Sequence, residues 1–275
     1  LALTTGPWAS ELPPGAYIGQ VDDHHQRWIM DMGIPGPDEG KGGKHLVLPP
    51  GYKGQVATGY HVGRADSYKV LFAVRSLPAN GDIDAALNAL RAIKVYPLST
   101  SSNPRLLKVQ DSSKEKMDST SLRWEDNLQV WQVLARIIEA EPVVDEFRPM
   151  YGLLASLGIQ KGKPFAPDDR MKGILERAAK AGRDQMLVSA FASTRPDRLA
   201  WPDRKWEWAG LVPGSADFET PMGLDLEARD RWFAQAIVAS AAMFRRSAGA
   251  GSLYWLGARD ASGAFLDGGR NYKLT

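Results

Sequence analysis

The run Asp22 to Arg27 reads DDHHQR inside a segment that otherwise has the composition of a β-strand. Aspartate and histidine are residue types that exchange protons in enzymes, because histidine titrates near neutral pH. A strand that packs on a core keeps one apolar face along its length, whereas both faces of this segment are polar in the middle. The run therefore predicts a polar pocket set into a sheet.

Acid/base catalysis by a hydrolase or lyase is one chemistry that fits the run. It would use His24 or His25 with Asp23 as the catalytic residues. Residues two apart on a strand are roughly 6.5 to 7 Å apart along its axis, so His25 and Asp23 hydrogen bond only if their side chains lean together. A buried salt-bridge network that holds strands in register explains the same residues equally well.

Binding of a small anionic or aromatic ligand in this pocket is the leading interpretation. Arginines from the run and from a hairpin predicted after it would form an anion clamp, because guanidinium groups bind carboxylates bidentately. The sequence leaves open whether the protein is an enzyme. The candidate ligand-binding residues are Asp22, Arg27, Lys41, His61, Arg64 and Arg75.

Histidines and cysteines limit the metal chemistry. Adjacent His24 and His25 would point to opposite faces of a strand, so both cannot bind one metal without a kink. One of them with His45 or His61, together with Asp22 or Asp23, would make a nitrogen/oxygen site, but no recognised ligand spacing is present. The sequence thus assigns no metal ligand and names no cofactor. The absence of cysteine excludes disulfides, thiolate metal sites and cysteine nucleophiles.

A glycine-rich basic stretch, GPDEGKGGKHLVLPPGYKG, occupies residues 36–54. A phosphate-binding P-loop would need glycine at Pro35 or Asp38 and a serine or threonine after Lys41 or Lys44, and the sequence has neither. The stretch is interpreted as a corner that brings the polar run beside a hairpin.

Length and composition exclude several classes of protein. The chain has 275 residues, 44% hydrophobic residues and a net charge of +2, which is typical of a packed globule. No basic stripe points to nucleic acid. The longest apolar stretch, residues 234–244, is too short to span a bilayer.

Periodicity predicts an α+β fold with strands at residues 7–12, 16–32, 45–48, 59–64, 68–75 and 92–98. Helices are predicted after the capping residues Asp82, Asp168 and Asp225 and over residues 128–140, and the helix after Asp225 is expected to reach Phe244. A further helix is predicted from Asp145 to Gly158, with Tyr151 on its inward face. The predicted domains are residues 1–100 (a β domain), 101–120 (an exposed linker), 121–248 (a helical region) and 249–275 (a hairpin of strands 253–259 and 265–274).

Tryptophans are concentrated in a loop predicted over residues 195–224. Trp201, Trp206 and Trp208 would line a sugar or aromatic site, or would simply close a core. Closure of a core is the favoured interpretation.

Several segments together resemble a bacterial family, namely domain of unknown function 1254 followed by domain of unknown function 1214. They are TGPWASELPPG (5–15), DDHHQRWIMDMG (22–33), residues 36–54, KVYPL (94–98), GIQKGKPFAPDDRM (158–171) and GAGSLYWLGARDASGAFLDGGRNYKL (249–274). The resemblance implies an N-terminal antiparallel β-sandwich or jelly-roll-like domain, a helical middle and the start of a C-terminal β-sandwich.

The same resemblance implies an exported, periplasmic or secreted protein, although the sequence does not exclude a cytoplasmic one. It also suggests that material is missing at both ends of the chain. The family tends to carry aromatic residues where this chain has His24 and His25, and its DADG turn has Ser262 at the third position here. A third functional class stays open, a structural β-sandwich protein that forms a homo-oligomer.

Overall fold

A computed structural model describes residues 1–56, 58–104, 110–116, 125–211, 213, 218–236, 239–246 and 253–274. The chain divides into two compact units, Leu1–Arg183 and Asp184–Thr275. Part of the predicted linker and the start of the predicted C-terminal hairpin lie outside the described residues. The domain boundaries expected near residues 100, 120 and 248 stay predictions.

Two β-sheets form the N-terminal part of the first unit, as the α+β prediction requires. One sheet has the order β5-β4-β1-β7 and the other the order β3-β2-β6. Strand pairs are antiparallel except β4 and β5, which are parallel. The strands are β1 (Trp8–Leu12), β2 (Tyr17–Asp23), β3 (Trp28–Gly33), β4 (Gly43–Leu48), β5 (His61–Arg64), β6 (Val70–Ser76) and β7 (Lys94–Pro97).

Apolar side chains from both sheets share one core. Leu12 and Val47 come from the first sheet, and Val21, Met32 and Val70 come from the second. Val21 and Met32 are completely buried. Each strand contributes alternate residues because successive side chains point to opposite faces of a sheet. The N-terminal sheets therefore pack as a sandwich.

One helix lies between β6 and β7, and the other helices follow the sheets in sequence. Asp82 caps α1 by accepting the N–H of Ala85, which confirms the predicted cap. The helix predicted at 128–140 also forms, and it stops at Glu141 because Pro142 cannot continue the hydrogen-bond ladder. The helices are α1 (Ile83–Arg91), α2 (Leu128–Ala140), α3 (Arg148–Ser156) and α4 (Asp169–Ala192).

The long strand predicted over residues 16–32 was wrong, because the chain folds there into a hairpin of β2 and β3. The side chain of Asp23 accepts the backbone N–H groups of His25 and Arg27, and the N–H of Asp23 donates to the carbonyl of Arg27. Gln26 takes a left-handed φ of 60°. These local bonds compete with the ladder and turn the chain. His24 and His25 therefore lie in a turn and do not alternate across a strand.

The hairpin predicted from residues 59–64 and 68–75 was also wrong. β5 pairs in parallel with β4, and β6 pairs with β2 in the other sheet. The chain thus crosses from one sheet to the other through residues 65–69. Arg64 and Arg75 consequently belong to different sheets.

The second unit holds one further helix and short strands. Asp225 caps α5 through the N–H of Ala228, which confirms that prediction. The predicted helix through Phe244 was wrong, because Ala236 takes an extended conformation and Ser240 caps a separate 3-10 helix. The elements are β8 (Glu207–Trp208), β9 (Glu219–Thr220), β10 (Gly223–Leu224), α5 (Leu226–Gln235) and β11 (Trp255–Leu256).

The C-terminal hairpin predicted at 253–259 and 265–274 was largely wrong. β11 pairs with β8, with Trp255 opposite Trp208. The predicted returning strand makes an isolated bridge between Arg259 and Phe265. Its turn does form, because Asp260 accepts the N–H groups of Ser262 and Ala264.

Candidate functional site

A cleft of about 410 Å³ opens in the first unit where α2 ends and α3 begins. It meets the turn of the β2-β3 hairpin through a single residue, His25. The chain segments 138–143, 148–152 and 159–161 form its remaining walls. Its lining residues are His25, Ile138, Glu141, Pro142, Val143, Arg148, Tyr151, Gly152, Ile159, Gln160 and Lys161.

Aliphatic side chains form much of the cleft surface. Ile138 comes from α2, Pro142 and Val143 from the segment after it, and Ile159 from the loop after α3. Ile159 is 2% exposed and anchors the wall in the core, whereas Val143 is 52% exposed and stands at the surface. The hydrocarbon part of a small ligand could be buried against these side chains without removing water from polar groups of the protein.

Two polar groups on α3 face the same space. The guanidinium of Arg148 is 71% exposed and its nearest carboxylate, Asp145, is 3.7 Å away. The hydroxyl of Tyr151 accepts the backbone N–H of Val144 at 3.3 Å, which leaves its own O–H available as a donor. The two residues are three apart on a helix, so they lie on one face. Together they present a positive charge and a hydroxyl donor to the cleft.

Lys161 contributes a charge that is already engaged. Its ammonium donates to the backbone carbonyls of Ile138, Glu139 and Glu141. These carbonyls belong to the end of α2, where the helix dipole favours a cation. Lys161 therefore caps the C-terminus of α2 and makes the electrostatic potential of the cleft wall more positive.

Glu141 is a buried carboxylate that joins the helices to the sheets. It is 2% exposed and accepts the backbone N–H groups of Tyr68 at 2.5 Å and Lys69 at 3.3 Å. Its Oε1 is also 2.8 Å from Nδ1 of His24. The N–H of His24 donates to the hydroxyl of Ser67. The turn of the polar run is thus fixed to the first residue after α2.

Asp23 positions the other histidine of the run. Its Oδ1 accepts the N–H of His25 at 2.7 Å and that of Arg27 at 2.9 Å. Burial raises the pKa of Asp23 to about 6, although these two backbone hydrogen bonds act in the opposite direction. The ring of His25 meets the edge of Phe147 at 5.4 Å between centroids. Asp23 therefore acts as a positioning residue for His25 at the rim of the cleft.

Arg27 lies beside the cleft and is engaged by acidic residues. Its guanidinium is 3.1 Å from Asp66 and 2.6 Å from Glu146, and it stands over the ring of Phe147. An arginine neutralised by two carboxylates attracts a further anion weakly. It holds the turn against the segment before α3.

A second histidine cluster lies in the first sheet, on neighbouring strands. His45 is completely buried, and its Nε2 is 3.1 Å from Oδ1 of Asp38. The ring of His61 lies 5.2 Å from that of His45. Burial lowers the pKa of His45, Asp38 opposes this effect through its charge and its hydrogen bond, and the neighbouring imidazole of His61 adds a smaller lowering. This pair was not expected, because His45 and His61 were each considered as partners of the DDHHQR run.

Of the residues predicted from the sequence, His25 lines the cleft. His24 and Asp23 are bonded to its surroundings, His24 to Glu141 and Asp23 to the N–H of His25. The other predicted residues lie outside the cleft lining. Asp22 is buried in β2 and bonded to Gln20. Lys41 is exposed and paired with Glu39, and Arg64 and Arg75 are exposed on separate sheets. Their role as ligand-binding residues stays a prediction without support from proximity.

Sequence reasoning missed the cleft residues Arg148, Tyr151 and Lys161. Tyr151 was placed on the inward face of its helix, and Arg148 precedes it by three residues, so their shared face could have been recognised. Their proximity to the polar run comes from tertiary contacts through Glu141 and Phe147, which no local pattern encodes.

The described part of the chain shows no group of three or more histidine, aspartate or glutamate side chains arranged to hold a metal ion. Within that same part, every helix is too short or too polar to cross a membrane.

Comparisons with known proteins agree with the first half of the resemblance. Residues 1–97 match the model of the family described as "Protein of unknown function (DUF1254)". None of the curated proteins matches the chain. The second half of the resemblance, domain of unknown function 1214, stays a prediction.

A solved structure shares the fold, the VPA0106 protein from Vibrio parahaemolyticus, a structural genomics target. The TM-score is 0.52 at 17% sequence identity, over 70% of this chain and 48% of that protein. The chain thus spans about half the length of this neighbour. At this identity the likeness concerns the fold alone.

Proposed function

We propose that the protein binds a small carboxylate with a compact apolar body in the cleft between the end of α2 and the start of α3. The observation that carries the proposal is the placement of Arg148 and the Tyr151 hydroxyl on one helix face above an aliphatic surface. Guanidinium and hydroxyl donors suit a carboxylate, and the aliphatic wall suits its hydrocarbon part.

The charge balance of the cleft supports an anion. Glu141, the acidic residue in the lining, has its oxygens occupied by two backbone N–H groups and His24. Arg148 has one distant carboxylate neighbour, and Lys161 keeps its charge while bonded to neutral carbonyls. The free donor capacity of the cleft therefore exceeds its free acceptor capacity, which favours an acceptor-rich ligand.

Native mass spectrometry of the protein as isolated is the first test, because it reports a retained ligand and the stoichiometry together. Titration with benzoate, followed by amide and side-chain NMR shifts, is the second. Benzoate should shift signals from residues 138–161, and benzyl alcohol, which has the same ring without the charge, should bind at least about tenfold more weakly.

Arg148→Gln should weaken benzoate binding by about tenfold and leave benzyl alcohol unaffected. Arg170→Gln is the matched control, since Arg170 is an exposed arginine in α4 outside the cleft lining. Equal binding of the two compounds, or equal loss in both variants, would contradict the proposal.

Acid/base catalysis by a hydrolase or lyase is the second candidate, favoured by the 2.8 Å contact between His24 Nδ1 and Glu141 Oε1. A carboxylate that fixes one imidazole nitrogen orients the other for proton transfer. Hydrolysis of 4-nitrophenyl acetate should then be faster with the wild-type protein than with His24→Gln at pH 7. Equal rates for the wild type, this variant and a buffer blank would remove the candidate.

The proposal also includes export of the protein from the cytoplasm, which rests on the family resemblance alone. Fractionation of a cell that expresses the native gene should place the protein in the periplasm or the medium. Recovery in the cytoplasm would overturn this part and leave the cleft unaffected.

A further inference from the structure

A ladder of planar side chains runs through the second unit. The guanidinium of Arg246 stands 4.8 Å from the ring of Trp208. Trp208 is 5.8 Å from Trp255, and Trp255 is 5.5 Å from Trp201, with interplanar angles of 39° and 34°. Trp208 and Trp255 are directly opposite each other in the pairing of β8 with β11, which explains their contact.

The Trp201 end of the ladder opens into a separate cleft of about 460 Å³. Trp201 and Trp255 are 41% and 40% exposed, which is unusual for so large an apolar side chain. Trp206 forms a third wall, packed so close to the backbone of Gly257 that a Cβ there would come within 2.8 Å of its ring. The cleft lining is Trp201, Arg204, Trp206, Trp255 and Leu274.

Arg204 supplies the charge of this cleft. Of the described residues that line it, Arg204 is the one with a charged side chain, and its nearest carboxylate, Asp203, is 4.0 Å away. Both members of that pair are more than half exposed, so their mutual attraction is screened by water. Three indoles and one weakly paired guanidinium therefore converge on one space.

We propose that this tryptophan cleft is a second binding site, which takes a planar aromatic ring carrying an anionic group. The ring continues the ladder by stacking on Trp201, and the anion pairs with Arg204. Offset stacking of aromatic rings and pairing of an anion with arginine both strengthen where water is excluded.

A sugar ligand fits these residues less well. Saccharide hydroxyls need several hydrogen-bonding side chains, whereas the lining described here offers indole N–H groups and a single guanidinium. A neutral aromatic compound would stack on the indoles but would offer no anionic group to Arg204. The aromatic anion uses both features.

Titration of the whole chain with 2-naphthoate, followed by indole N–H signals in NMR, tests the inference. 2-Naphthalenemethanol keeps the ring and removes the charge, cyclohexanecarboxylate keeps the charge and removes the flat ring, and methyl glucoside represents sugars. 2-Naphthoate should shift the indole signals of Trp201 and Trp255 and should bind at least about tenfold more tightly than each of the other three.

Two variants separate the parts of the site. Trp201→Ala should abolish the shifts caused by 2-naphthoate, and Arg204→Gln should remove the preference for 2-naphthoate over 2-naphthalenemethanol. Arg170→Gln is the control, since it removes an exposed arginine outside the linings of both clefts and should leave these shifts unchanged.

Three outcomes would overturn the inference. They are equal affinity for 2-naphthoate and 2-naphthalenemethanol, tighter binding of methyl glucoside, and a concentration-dependent dimer that Trp201→Ala dissolves. The last result would assign the tryptophans to a contact between two copies of the chain. Failure of benzoate to bind near Arg148 would contradict the first proposal and leave this one standing.

Discussion

The Nδ1 atom of His24 lies 2.8 Å from Oε1 of Glu141, a residue 117 positions further along the chain. One buried carboxylate thereby connects the turn between β2 and β3 with the end of α2. The same carboxylate accepts N–H groups of Tyr68 and Lys69, which lie just before β6. A single side chain therefore joins the wall of the cleft to the β2-β3 turn and to the segment just before β6.

Glu141→Gln should destabilise the first unit by about 1–3 kcal/mol, because an amide NH₂ group would face an N–H donor in either orientation. Urea denaturation, followed by tryptophan fluorescence, measures the loss. Glu176→Gln is the matched control on the exposed surface of α4, and its effect should stay within about 0.5 kcal/mol. Equal effects of the two substitutions would show that the buried bonds of Glu141 contribute nothing net.

Asp23→Asn should change how stability depends on pH. The pKa of Asp23 is about 6 in the folded protein against 3.8 for the free side chain, so the folded state binds the proton more tightly. Its contribution to stability is therefore present below pH 4 and is lost as pH rises to about 6. At 1.36 kcal/mol per pKa unit, the loss amounts to roughly 3 kcal/mol.

Asparagine keeps an oxygen for the N–H groups of His25 and Arg27 and does not titrate. The variant should therefore lose less stability than the wild type between pH 4 and pH 6. Urea midpoints at intervals of half a pH unit measure the two slopes, and parallel slopes would refute the assignment to Asp23.

His45 gives a pH dependence of the opposite sign. Burial lowers its pKa in the folded state below the ordinary value of 6.5, so the unfolded state binds the proton more tightly. Stability should be complete above pH 6.5 and should fall as pH decreases through the folded pKa. Asp38 and His61 are the charged groups that face the ring.

His61→Gln tests whether His61 contributes to the lowered pKa of His45. Removing the imidazole of His61 should raise the pKa of His45 by a small amount, because burial, the larger cause, remains, and should so reduce the acid-side loss of stability slightly. NMR titration of the His45 ring measures that pKa directly in both proteins. An unchanged pKa would mean that His61 is too distant or too well solvated to act.

Local sequence signals predicted a large part of the fold. Caps such as Asp82 and Asp225 and the proline stop after Glu141 act within a few residues, so they can be read without tertiary information. The strands of the first unit were also found, except where Asp23 uses its side chain to turn the chain. That aspartate changed one predicted strand into two.

Pairing between distant segments could not be predicted in the same way. Parallel pairing of β4 and β5 brings His45 opposite His61, and Glu141 brings α2 to the polar run. Each contact depends on which edges are free after the rest of the fold forms. The DDHHQR run was correctly recognised as unusual, and the reason is a hydrogen-bonded turn beside a cleft whose other residues lie more than a hundred positions away.

The second unit contains a buried ion pair that offers a separate test. Arg231 and Glu207 are completely or almost completely buried, with Nη2 2.5 Å from Oε2. Glu207 also accepts Nε–H of Arg198 at 2.9 Å, whereas among the described residues Nε and Nη1 of Arg231 find no hydrogen-bond partner. Such a pair contributes little net stability, but its removal from one side leaves an uncompensated buried charge.

Glu207→Leu should therefore cost about 3–5 kcal/mol, because it leaves the charge of Arg231 buried without its carboxylate, whereas Arg231→Met leaves Glu207 paired with Arg198. The double variant Arg231→Met/Glu207→Leu should cost less than the sum of the two single changes. Arg270→Met removes an arginine from an exposed pair with Asp267 and should cost less than about 1 kcal/mol. Urea denaturation of all four variants and the wild type gives the coupling energy. Additive losses would mean that Arg231 and Glu207 act independently, and they would refute the expected coupling between the two residues.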